Sequence, residues 1–173
     1  DLLYQKLQTL QAQVLEAAED ASDLDLLGRL MLRTSARNQL HGKVVAIEAQ
    51  GRNDLIRLEL AEGLAIDTQI THDSTVRLEL EPGTEVVALI KAGWLDLLAI
   101  EDTATPGHND LTGIIEEILD AEDGPSEVRI GLPNGQTLCA LAEPLHLKTL
   151  GLATDKPVRV QFAPSNVLLG TQL

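Results

Sequence analysis

Aromatic residues are nearly missing from this chain, with one Trp, one Tyr and one Phe among 173 residues. Any core must therefore be filled by Leu, Ile, Val and Ala, and there is no set of rings on which successive nucleic-acid bases could stack. Cysteine is reduced to Cys139, which excludes an internal disulfide and fits a reducing compartment. Basic residues are scarce too: 13 Lys and Arg stand against 27 Asp and Glu, a formal net charge of −14. A chain this acidic does not grip a nucleic-acid backbone or an anionic membrane by itself, because both need a basic face to displace counterions. No apolar run is long enough to span a bilayer. The expectation is a cytoplasmic protein with no membrane partner. The chain opens on Asp1 with neither a methionine nor a signal-like stretch, which leaves its native start open.

What is present falls into three parts. Leu2, Leu3, Leu7, Leu10, Val14, Leu15 and Ala18 recur at three- and four-residue spacing, and Leu24 to Leu32 resumes the pattern after a polar break. This predicts a helical linker and dimerisation segment over residues 1–33, with an apolar stripe that needs a partner. From Gly42 the pattern changes to short strands: Gly42–Ala49, Leu55–Leu60, Ala65–Ile70, Glu85–Lys91 and Trp94–Ile100, with a short helix within His72–Leu80. Five strands with a helix between the third and fourth is the order of an OB-like barrel. After the linker-like stretch 101–107 the pattern returns. Asn38-Gln39-Leu40-His41-Gly42 aligns with Asn109-Asp110-Leu111-Thr112-Gly113 at an offset of 71. In this second copy Asn134-Gly135 predicts a tight primed hairpin turn. The predicted fold is mainly β: two tandem OB-like five-stranded barrels, at 34–101 and 108–173, behind the helical segment.

The duplication serves as an internal control for chemistry. At an offset of 71, Ser35 falls on Pro106, Arg37 on His108, Thr71 on Ala142, Ser74 on Leu145 and Lys91 on Phe162. The apolar framework survives in the second copy while the polar candidates disappear, as expected if only the first copy binds something. Chance divergence of surface positions is the alternative. Thr34-Ser35-Ala36-Arg37-Asn38-Gln39, at a helix-to-strand junction, offers hydroxyls, amides and a guanidinium to an anion; otherwise it is a polar linker with a surface arginine. Lys91 stands in the register of Val87 and Leu89, so its stem is expected on an apolar face, where an unpaired ammonium would seek an anion or snorkel to water. Thr71 and Ser74 flank the start of the short helix, where hydroxyls and free N–H groups suit an oxyanion or serve as ordinary caps. Asp73, between them, would have to face outward. Arg37 and Lys91 together match a dianion. No metal cage is visible, because His41, His72, His108 and His146 are dispersed and Cys139 has no partner at ligand spacing. No nucleophile is paired with a base, and Glu116-Glu117 reads as a solvated strand edge, so no catalytic residue is assigned and the chain is expected not to be an enzyme.

These segments resemble a known family. Ser35-Ala36-Arg37-Asn38-Gln39, Ile70-Thr71-x-x-Ser74 and Ile90-Lys91-Ala92 are similar to the Mop (molbindin, TOBE) domain. The double copy and the leading helices resemble the C-terminal region of ModE-type molybdate-dependent transcriptional regulators. The resemblance implies that molybdate, or tungstate in its place, is bound at subunit interfaces of a homodimer by Ser35, Arg37, Thr71, Ser74 and Lys91. It also implies contact with operator DNA only through an N-terminal winged helix-turn-helix domain absent from this sequence. A storage molbindin and an accessory regulatory domain of a molybdate transporter ATPase are the alternatives.

Overall fold

The computed structural model describes residues 37–171. The helices expected over 1–33, and Ser35, lie outside the described residues. The first repeat runs β1 (Asn38–Gln50), β2 (Asn53–Ala61), β3 (Leu64–Thr71), α1 (His72–Arg77), β4 (Glu85–Ile90), a 3-10 turn (Ala92–Trp94) and β5 (Asp96–Leu98). The second runs β6 (Asn109–Leu119), β7 (Ser126–Gly131), β8 (Thr137–Ala142), α2 (Pro144–Leu150), β9 (Pro157–Phe162), a 3-10 turn (Pro164–Asn166) and β10 (Leu168–Gly170). No helix among the described residues is long and apolar enough to cross a membrane.

Alternation of apolar and polar residues builds the sheets, each with one buried face. In β2, Ile56 and Leu58 are fully buried while Arg57 and Glu59 point to solvent. The ten strands form two five-stranded antiparallel sheets, ordered β10-β4-β1-β2-β3 and β5-β9-β6-β7-β8. The last strand of each repeat has changed sheets: β5 pairs with β9, and β10 pairs with β4. The strand expected around Trp94–Ile100 therefore exists, shortened to three residues, but serves the other repeat. Sequence periodicity reports that a segment is extended and half-buried; it carries no information on which edge it joins. Ile90, Leu97, Val160 and Phe162 belong to one continuous apolar core fed by both repeats.

Each repeat's first strand changes partner at the same place. β1 pairs with β4 through Lys43 and with β2 beyond it, with a bulge between Val44 and Ala46. β6 does the same, with a bulge between Ile115 and Glu117. The crossing needs glycine: a Cβ on Gly113 would meet Ile130 Cγ2 at 2.5 Å and the Gly131 carbonyl oxygen at 2.7 Å.

The strand pairing also corrects the repeat alignment. Asn38 pairs with Ile90 and Asn109 with Phe162, so Phe162 matches Ile90. Arg57 pairs with Asp67 and Arg129 with Cys139, and the N-caps of α1 and α2 are Thr71 and Glu143. The offset is thus 71 along the first strand and 72 from the second strand onward, because the connection after β6 carries one extra residue. The true counterparts are Glu143 for Thr71, His146 for Ser74 and Ala163 for Lys91.

One turn differs from expectation. In Leu132-Pro133-Asn134-Gly135 the Gly135 N–H donates to the Leu132 carbonyl at 3.0 Å, and only Gly135 has a positive φ, of 87°. A primed turn needs positive φ at its first central residue, and the Pro133 ring fixes that angle near −65°.

Candidate functional site

Thr71 ends β3 in extended backbone and caps α1, its Oγ1 accepting from the Ser74 N–H at 3.2 Å. The Thr71 and Ser74 hydroxyls lie 2.9 Å apart, and an Arg77 guanidinium nitrogen donates to Ser74 Oγ at 3.2 Å. Asp73 turns out to solvent, its side chain 89% exposed, and pairs with Arg77. The objection raised by its carboxylate therefore lapses, and Arg77 adds a cation that spacing alone did not single out.

A buried carboxylate holds this helix to the sheet. Asp54, on β2, accepts from Thr75 and from His72 Nδ1, the latter at 2.9 Å. The hydrogen bond from Thr75 first, and then that from His72, keep the Asp54 carboxyl below its ordinary 3.8. The folded-state value is the lower one, so this bracket contributes fully above the unfolded value and its contribution drains away as pH falls through the folded one. We expect the thermal midpoint to fall on acidification below about pH 4, and Asp54→Asn to flatten part of that limb. Circular-dichroism melts across pH 2.5–6, whose range is roughly that of carboxylate titration, check this; an unchanged slope in the variant counts against the bracket.

Arg37 and Lys91 sit next to each other in register, just outside the Asn38–Ile90 pair. Lys91 does not start on an apolar face. It follows β4, caps the 3-10 turn in extended backbone and is exposed, with Nζ 5.1 Å from the centre of the Trp94 ring. That cation–π contact at an exposed position is worth about 0.5–1 kcal/mol, weak enough for an anion to compete. Arg37 forms an ion pair with Glu127 of β7, from the second repeat. Among the described residues no hydrogen bond or ion pair joins Arg37 or Lys91 to Thr71 or Ser74.

Two asparagines prove to be clasps, where sequence reasoning used Asn109 only as an alignment anchor and offered the amide of Asn38 to an anion. Asn38, 1% exposed, donates from Nδ2 to the Cys139 carbonyl at 2.8 Å, and its Oδ1 accepts from the Cys139 N–H at 2.6 Å. Asn109 repeats this on Asp67, at 2.8 Å and 2.7 Å. Each amide copies a strand's donor–acceptor pair and fastens the start of one repeat to the third strand of the other. Recurrence at both copies was the signal that could have found them.

In the second repeat the equivalent corner carries Glu143, His146 and Ala163. A carboxylate replaces the capping hydroxyl, the imidazole Nε2 is 3.0 Å from the Leu97 carbonyl, and the cation is gone. The corrected alignment thus keeps the asymmetry between copies and sharpens it, since Glu143 would repel an anion. No cluster of His, Cys, Asp and Glu able to hold a metal ion exists among the described residues.

Two sheets built from a tandem repeat, with one polar corner kept and one lost, define a duplicated small-ligand-binding module, and the chain belongs to the TOBE domain family, which matches residues 34–97 and 105–169. Relatives include the transcriptional regulator ModE of Yersinia pestis, 34% identical over 98% of this chain and 66% of that protein. The molybdenum-pterin-binding protein MopA of Rhodobacter capsulatus is 35% identical over 90% of this chain and 60% of its own length. The chain thus spans about two thirds of these curated relatives. Among solved structures, the cytoplasmic molybdate-binding protein ModG with molybdate bound superposes with a TM-score of 0.76 at 28% identity, covering 81% of this chain and 99% of that one. These relatives are named as a regulator and as binding proteins.

Proposed function

We propose that this chain is the molybdate-sensing part of a dimeric ModE-type transcriptional regulator, with tungstate as a substitute ligand. It acts in the cytoplasm and reaches operator DNA through a winged helix-turn-helix domain ahead of residue 1. Its sheets close as OB-like barrels. The observation that carries this reading is the corner itself. Thr71 and Ser74 hydroxyls stand 2.9 Å apart beside Arg77, and Arg37, half-exposed in its ion pair with Glu127, and Lys91, over the Trp94 ring, supply two more cations. Ser35 completes the set. Since Arg37 and Lys91 share no bond with Thr71 and Ser74 within the chain, a second copy of the protein brings the two groups onto one oxyanion. The ModE relative aligns through 98% of the chain, leading segment included, which favours a sensor over a storage protein. The dianion neutralises Arg37 and Lys91 and favours one arrangement of the paired subunits, by as much as its affinity for the two arrangements differs.

Isothermal titration tests this directly. Molybdate should bind at about one per chain, sulfate and phosphate should not, and Lys91→Ala should weaken binding at least about tenfold, as befits a lost charge-assisted contact of about 1.5–3 kcal/mol. Unchanged affinity in the Lys91 variant sinks the site, and no molybdate binding at all sinks the function.

A further inference from the structure

Arg37, a cation of the proposed site, is already occupied. Its guanidinium is paired with Glu127, whose side chain is only 18% exposed and comes from the other repeat. Glu127 has further company. It accepts from the Cys139 thiol at 2.9 Å, and Arg129 lies 3.8 Å from its second oxygen. Hydrogen bonding from Cys139 first, then Arg37 and Arg129, hold the Glu127 carboxyl below its usual range, so it is a full negative charge at neutral pH. Burial, then the hydrogen bond to Glu127, push the Cys139 thiol up to about 11, so the sulfur stays a donor. The arrangement is anchored from the Arg37 side as well, because the neighbouring Asn38 clasps the Cys139 backbone.

A carboxylate and a tetrahedral dianion ask the same thing of a guanidinium, and Arg37 cannot give its full charge to both. We infer that Glu127 is a positioning residue for Arg37, a resident counter-ion that an incoming oxyanion must displace and that thereby sets the affinity of the site. This rests on the molybdate-binding role proposed above and extends it to the second repeat. When Arg37 turns to the ligand, Glu127 keeps Arg129 and the Cys139 thiol, so its charge is not stranded. The barrier to exchange is accordingly small, in the range of a partly exposed ion pair. The second repeat, which has lost the ligand-binding residues, acts on the site through this one carboxylate.

The test is titration of the full chain with sodium molybdate, comparing the wild type, Glu127→Gln and Glu117→Gln. Gln at 127 keeps an acceptor for Cys139 while removing the charge that competes for Arg37. Glu117 pairs with Arg129 at 3.3 Å and has no bond to Arg37, so its variant carries the same change in net charge as a control. Glu127→Gln should bind molybdate roughly two- to five-fold more tightly, the worth of an exposed pair, and Glu117→Gln should match the wild type. Equal tightening in both variants would reduce the effect to overall charge and overturn the inference. So would unchanged or weaker binding by Glu127→Gln in a variant whose ligand-free melt matches wild type; if that melt is lowered, Glu127→Asp, which keeps the charge, must restore wild-type affinity or the inference fails. Absence of molybdate binding by the wild type would instead remove the functional reading beneath it.

Discussion

Phe162→Ala is expected to destabilise the protein by about 3–5 kcal/mol, the range for emptying a fully buried aromatic position. Phe162 is the only Phe, 0% exposed, at the end of β9 opposite Asn109. The aliphatic side chains of the cluster around it sit in a close-packed core that relaxes only partly into a void. For a protein of this size the loss corresponds to a drop in thermal midpoint on the order of 10 °C. Calorimetry of the variant checks it; a midpoint within a degree or two of wild type would mean that the core collapses around the cavity. Because β5 adds to β9, the damage should reach both repeats and appear as a single lowered transition.

Asn38→Ala should cost about 2–4 kcal/mol, since it leaves the Cys139 N–H and carbonyl unpaired in the interior at about 1–3 kcal/mol each. Asn109→Ala does the same to Asp67 and should destabilise comparably. The two variants should part company on ligand. Asn38 directly follows Arg37 and pairs with Ile90, the residue before Lys91, so its loss should also weaken molybdate binding, whereas Asn109→Ala should leave binding close to wild type. Urea unfolding reads the first effect and titration the second. Wild-type stability in both variants would mean that water replaces the clasps without penalty, and equal affinities would deny Asn38 any part in placing Arg37.

Much of this architecture is visible in one dimension. The change from 3.6- to 2-residue periodicity at Gly42, the duplication and the cap at Thr71 are local, and local rules find them. Two kinds of information were not local. A single extra residue after β6 shifts the repeats by one, and apolar strands tolerate that shift unnoticed because valine and leucine recur so often; only paired backbones expose it, moving the counterpart of Lys91 from Phe162 to Ala163. Strand partnership is the other. Nothing in Asp96-Leu97-Leu98 distinguishes its own sheet from the neighbouring one. For the site, residue types pointed to an anion, and the hydroxyl pair and the outward Asp73 stand where capping rules put them. Lys91 was misplaced because its register was extended one residue past the end of β4. Glu127, Asp54 and Arg77 escaped notice because each matters through a partner: 90 residues away for Glu127, the exposed start of a helix 18 residues on for the buried Asp54, and a hydroxyl one turn back for Arg77.

The exchanged strands change what kind of event assembly is. A unit carrying one repeat, built with this pairing, could complete its sheet only by meeting another molecule, in a second-order step that dilution would reverse. Joining two repeats by the residues around 99–108 turns that encounter into an intramolecular one, at the effective concentration a short tether imposes, on the order of millimolar. The trade of β5 for β10 is then complete at any protein concentration. In the dimer proposed above, contacts between subunits then do not also have to hold each subunit's sheets together.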